Sequence, residues 1–183
     1  SSNALYELAP GGYEEVLQFL NATTQVTQQR VVAAGVSSGQ PPSSFAWFSL
    51  DEDPGWDAQG DWTYGRPLGK GIGGTDPSVG HTGLKVYGYN LLGNYPNNMP
   101  SRRLTSTAID CRGRDTVILH FWRWLGVEGA EFDHAAIEAS RNGASWTTVW
   151  EHTGETIVEN AWTECIYDIS NIAANQATVY LRW

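Results

Sequence analysis

After residue 44, hydrophobic and polar positions alternate with a period of two over much of the chain. That period puts successive side chains on opposite faces of an extended strand. Residues 116–125 (TVILHFWRWL) carry the strongest signal. Val117, Leu119, Phe121 and Leu125 fall on one face; Ile118, His120, Trp122 and Trp124 fall on the other. Both faces are largely apolar, which predicts a central strand covered on both sides. Residues 135–139 alternate Ala135, Ile137 and Ala139. Residues 146–150 (WTTVW) follow an Asn142-Gly143 pair, a strong short hairpin signal. Further strands are expected at 44–50, 61–65, 84–90, 104–110, 162–169 and 178–183. Short strands at regular spacing, with almost no helical period, predict an all-β chain. The expected form is a two-sheet antiparallel β-sandwich of the jelly-roll kind.

Residues 1–43 read differently. Residues 13–20 (YEEVLQFL) fit a short helix or a strand, and 21–36 lean extended. Residues 37–44 (SSGQPPSS) read as a linker, because Pro41 and Pro42 bar regular pairing. The expected division is therefore an N-terminal segment and linker over 1–43, with room to contribute a strand, and the sandwich over 44–183. Asn21-Ala22-Thr23 has the form of a glycosylation sequon.

Residues 83–98 (GLKVYGYNLLGNYPNN) hold many glycines, asparagines and aromatics and almost no charge. Helix is disfavoured there by Gly83, Gly88 and Gly93. A strand leading into a tight corner fits better. Gly88 and Gly93 are expected to take positive φ. Asn90 and Asn94 can cap backbone groups through Asx turns. The stretch reads as a structural corner in preference to a direct ligand contact.

Composition narrows the function classes. The chain is 41% hydrophobic and 17% charged, with 20 glycines and nine tryptophans. That is a turn-rich β protein, not a disordered tail. A formal net charge of -9 repels phosphate backbones and anionic lipid surfaces, which argues against nucleic acid and membrane partners. No apolar run is long enough for a membrane-spanning helix. Few lysines together with many Trp, Tyr, Asn and Gly predict a secreted, extracellular setting. Cys111 and Cys165 are the only cysteines. In a secreted chain they most simply form one disulfide, closing a loop worth about 4 kcal/mol of chain entropy. The alternative is two separately buried thiols.

The order of HTGLKVYGYNLLGNYPNN, RRLTSTAIDC, VILHFWRWLGVE and FDHAAIEASRNGASWTTVW resembles a bacterial MAM-like jelly-roll module. Such modules accompany secreted metalloproteases of the immune-inhibitor-A type and other exported enzymes. The resemblance spans about residues 45–183. It implies an accessory domain beside a catalytic one. In such modules an acidic pair in a final strand often joins an acidic opening segment around Ca²⁺. This chain stops at Leu181-Arg182-Trp183, so that half of the metal set has no counterpart here. On this comparison either the module is truncated or residues 1–40 fill the missing position.

The acidic turn keeps a metal reading open on its own. Asp51, Asp53 and Asp57 cluster with Glu52, and Ca²⁺ needs six to eight hard oxygen ligands. The alternative is a solvated turn. Asp76 in the glycine-rich loop is a weaker candidate, and Asp133 reads as a turn-former or strand-end anchor. His81, His120, His134 and His152 show no zinc spacing. His120 reads as a partly buried, hydrogen-bonded strand residue. No nucleophile elbow or P-loop is present, and GKGIGG at 69–74 reads as a loop. Trp56, Trp62 and Tyr64 lie in loop-rich sequence and are the candidates for stacking on sugar rings. Trp122, Trp124, Trp146, Trp150 and Trp183 lie on expected strands and read as core.

The function these features point to is a non-catalytic extracellular accessory module. It would serve binding, adhesion or support of a neighbouring enzyme domain in a larger secreted protein. One alternative is a carbohydrate-binding module using exposed aromatics, with a glycan as partner. Another is a glycan- or peptide-active hydrolase built on a carboxylate pair.

Overall fold

A computed structural model describes the backbone of Gly11–Leu20 and Thr27–Val36, and residues 44–71 and 75–183 with their side chains. The expected linker at 37–43, the sequon at 21–23 and part of the glycine loop at 72–74 lie outside the described residues.

The period-two reading holds through most of the chain. The strands are β1 (Gly11–Leu20), β2 (Thr27–Val36), β3 (Asp57–Ala58), β4 (Trp62–Gly65), β5 (Val86–Tyr89), β6 (Leu104–Thr105) and β7 (Ile118–Arg123). They continue with β8 (Gly126–Val127), β9 (Ala136–Ser140), β10 (Thr147–Glu151), β11 (Ile157–Val158), β12 (Thr163–Asp168) and β13 (Tyr180–Arg182). One helical turn, α1 (Ser170–Ala173), interrupts them. The chain is therefore all-β, and its strand pairs are antiparallel. Five strands form one sheet in the order β10-β9-β13-β6-β3. Four two-stranded ribbons join β1 to β2, β4 to β5, β7 to β12 and β8 to β11. Residues 13–20 are strand, not helix: Gly11 lies opposite Val36 and Leu20 opposite Thr27.

The core gathers where the five-stranded sheet meets α1 and the β7–β12 ribbon. Cys111, Val117, Ala139, Ile169, Ala173 and Val179 are buried together, with Leu119, Tyr167 and Trp183 packed at the margin. Ile137 is 2% exposed and Ala139 fully buried, as their alternation in β9 requires. Arg141 pins α1 by donating to the carbonyls of Ile172 at 2.7 Å and Asn171 at 2.8 Å. Those carbonyls lack partners within so short a helix. The Asn142-Gly143 turn forms as expected. Gly143 has φ 71°, and Asn142 Oδ1 accepts the N–H groups of Ala144 and Ser145, each at 2.9 Å.

Several expectations need correction. Residues 44–50 are not a strand. Leu50 takes φ 62°, which breaks an extended run, and its carbonyl accepts the Tyr64 hydroxyl at 2.8 Å. The strand expected at 104–110 divides into β6 and a single bridge, Ile109 opposite Val179. Between them the buried Ser106 hydroxyl accepts the Leu181 N–H at 3.0 Å. β7 is not a doubly covered central strand. Among the described residues it pairs with β12 alone, and its outward face stays open, with Ile118 47% and Trp122 37% exposed.

The corner at 83–98 forms, but by other means than expected. The positive φ values belong to Asn90, at 50°, and Asn98, at 56°, not to Gly88 or Gly93. Asparagine tolerates that region because its short amide can bond locally, and here Asn90 Nδ2 donates to the Asn94 carbonyl. Gly88 lies close to Leu91: an added Cβ would come 2.3 Å from Leu91 Cδ2, so that side-chain tip would have to shift. Tyr95 then reaches back and donates its hydroxyl to Asp133.

Replacing Ile137 with alanine should cost about 2–5 kcal/mol, because a buried aliphatic side chain is lost and the sheet around it cannot fully close. Urea unfolding of both proteins measures this through the midpoint at unchanged slope.

Candidate functional site

The three aromatics expected at the surface are drawn into packing. Trp56 lies between Tyr87 (centroids 5.2 Å, planes 2° apart) and Trp183 (5.3 Å, 10°), with Phe48 edge-on at 5.3 Å. Such pairs add about 0.5–1.5 kcal/mol each beyond burial. Trp56 is thus half-buried and packed against three neighbouring rings. Tyr64 tilts against Tyr87 at 5.5 Å, with Lys85 over its ring at 5.1 Å. Trp62 stands edge-on to Tyr89, and its indole N–H points to the Arg102 carbonyl at 3.4 Å.

The acidic turn is tied into this stack. Tyr87 Oη donates to Asp53 Oδ1 at 2.5 Å and accepts the Trp56 N–H at 3.1 Å. Asp53 also accepts the Gly55 N–H at 2.8 Å. The Tyr87 bond first, and the Gly55 bond second, hold the Asp53 carboxyl below its ordinary range. Burial first, and the Asp53 bond second, push the Tyr87 phenol up to about 12. Asp51 lies against Gly83, where an added Cβ would meet its Oδ1 at 2.7 Å. Asp57 sits on β3 opposite Thr105. Among the described residues, no group of three or more His, Cys, Asp or Glu side chains is placed to hold a metal ion.

The aromatic surface lies elsewhere, on the outward face of the β7–β12 ribbon. Register puts Ile118 opposite Asp168, His120 opposite Ile166, and Trp122 opposite Glu164. Ile166 is 59% exposed. His120 Nε2 and Glu164 Oε1 lie 2.9 Å apart, both side chains about half exposed; His120 is thus partnered as expected, on an open face of the ribbon. Trp122 is backed by His81, whose ring stacks on it at 3.8 Å and 10°. Trp162 stands edge-on to His81 at 6.3 Å and to Trp124 at 5.6 Å. Burial holds the His81 imidazole below its ordinary range, against a smaller opposing pull from Glu164. His81 Nδ1 and Trp124 Nε1 are buried without a hydrogen-bond partner among the described residues. Alternation located Trp122 on a strand, but alternation alone does not tell an outer face from an inner one.

The expected disulfide is absent: Cys111 and Cys165 are free, buried thiols. Cys111 sits in the main core with Val117 and Val179. Cys165 lies on β12 opposite Phe121, outside that cluster. Burial first, then nearby Asp110, raises the Cys111 thiol, which keeps it protonated and unreactive.

These features define a small all-β chain with an exposed ribbon face that carries two isoleucines and one tryptophan. Its sequence is 30% identical over 136 residues to Bacillopeptidase F of Bacillus subtilis (strain 168). The match takes in 70% of this chain and 9% of that protein. The chain thus resembles one segment of a far longer relative. No family model matches the chain, and no solved structure matches it.

Two outcomes follow from this geometry. His81 binds its proton more weakly folded than unfolded, so the unfolded chain takes up more protons as pH falls below 6.5. The melting midpoint should therefore drop between pH 7 and pH 5, and a His81→Gln variant should show a flatter profile. Asp53 already holds two donors, so midpoints in excess Ca²⁺ and in chelator should coincide. A clear rise with Ca²⁺ would reveal a native-state site by mass action.

Proposed function

We propose that this chain is a non-catalytic, extracellular accessory module, a jelly-roll sandwich carried beside an enzyme domain in a larger secreted protein. The observation that carries this reading is the form of the sequence match. A stretch of 136 residues aligns with 9% of Bacillopeptidase F, as a module embedded in a long chain would. That relative's name marks it as a peptidase, so the neighbour is most simply a peptidase domain. The all-β build supports the sandwich reading, in which the five-stranded sheet and the β7–β12 ribbon would be the opposed layers. Sandwiches host many activities, so the role is drawn from the embedded match and not from the fold. Among the described residues no helix is long and apolar enough to cross a membrane, and the reading needs none.

An accessory module should turn over nothing by itself. Purified chain, incubated with casein, gelatin and soluble polysaccharides, should release no peptides or reducing ends above a buffer control. Turnover that follows the protein through a second purification step would overturn the proposal.

A further inference from the structure

We propose that the outward face of the β7–β12 ribbon is a binding platform for a neutral, hydroxyl-rich polysaccharide. It deepens the accessory reading and rests on it, giving the module the role of tethering its neighbour to a polysaccharide surface. Along this face every rung pairs one apolar side chain with one hydrogen-bonding side chain: Ile118 with Asp168, Ile166 with His120, Trp122 with Glu164. The apolar members zigzag between the strands, and so do the polar ones. Rungs on one face recur every two residues, so Ile118 to Trp122 spans about 14 Å, long enough for a short run of sugar rings.

A sugar ring has the same division. Its C–H faces are apolar and its hydroxyl rim is polar. A protein partner would ask for something else, because the centre of a protein interface is depleted of charged residues, whereas each rung here carries a titratable group. Trp122 provides the flat surface. One face of its indole is covered by His81 at 3.8 Å and 10°, and the side chain is still 37% exposed. His81 is in turn braced edge-on by Trp162. The platform is thus held rigid before any ligand arrives, which removes an ordering cost from binding. Glu164 and His120, 2.9 Å apart and half exposed, keep acceptor and donor capacity for hydroxyls. Charge selects the occupant further. With Glu164 and Asp168 on the face and a net charge of -9, uronate and sulfate polymers are repelled, while hydroxyl donors are accepted.

Affinity electrophoresis of the 183-residue chain tests this, in native gels containing hydroxyethylcellulose, xylan, galactomannan or polygalacturonate. At least one neutral polymer should retard the protein, and polygalacturonate should not. Trp122→Ala should weaken retention about tenfold or more, as loss of an aromatic stacking partner does. Ile166→Lys and Glu164→Gln lie at open positions and should also weaken it, so the outcome does not depend on Trp122→Ala folding. Leu92→Ala, at an exposed site off this face, should leave it unchanged. No retardation by any neutral polymer, or equal retention by all three ribbon variants, overturns the platform; a surface that served a protein partner would give the first result. Reducing ends released from a retarding polymer would overturn the accessory role while leaving the platform standing.

Discussion

The structure turns on the stack of Tyr87, Trp56 and Trp183. Three distant stretches of chain meet there: the acidic turn, β5 and the residue after β13. Trp183 is also held by its backbone, exchanging bonds with Leu104 at 2.9 and 3.0 Å. On its other side Trp183 meets Phe121 edge-on at 5.7 Å, and Phe121 leads to Tyr167. The aromatic run therefore crosses from the first loop to the inner face of the β7–β12 ribbon. Large flat rings fill this space with few rotatable bonds, so burial comes at a low entropy cost.

That arrangement explains why the ribbon can keep an apolar outer face. Its inner face, through Leu119, Phe121 and Tyr167, is fixed to the core. One end is clamped by Arg123, which pairs with Glu159 at 2.6 Å and lies over Trp150 at 4.7 Å. Glu159 also accepts the Leu125 N–H at 2.5 Å. Both carboxylate oxygens are thus engaged, as a largely buried ion pair requires. With the inner side secured, Ile118, Trp122 and Ile166 remain outside without loosening the strands.

Strand positions were largely legible in the sequence, because alternation is local. β4, β5, β7 and β12 fall within the expected runs, and β9 and β10 each overrun theirs by one residue. What alternation cannot convey is which face finds a partner. Trp56 and Trp122 show this: the loop tryptophan meets two flat rings from remote segments, and the strand tryptophan, among the described residues, stacks on His81 while its face stays partly open. Gly88 shows a similar limit. Gly88 takes no positive φ and lies instead against the Leu91 side-chain tip, and close approach leaves no local mark in sequence. The two cysteines suited a disulfide by number, yet Cys111 lies in a loop of the main core and Cys165 on β12, outside that cluster.

The position of β13 in its sheet carries a consequence for how the chain folds. In the order β10-β9-β13-β6-β3, the latest strand in sequence lies in the middle. Without it the sheet exists only as two unconnected halves, β10-β9 and β6-β3, each presenting a bare edge. A growing polypeptide therefore holds both halves open until residues 180–182 emerge, and only then does a zipper close between them. Such late, long-range closure is slow and leaves unpaired edges waiting. A nascent chain of this kind gains from being kept apart from its own copies until that strand is inserted.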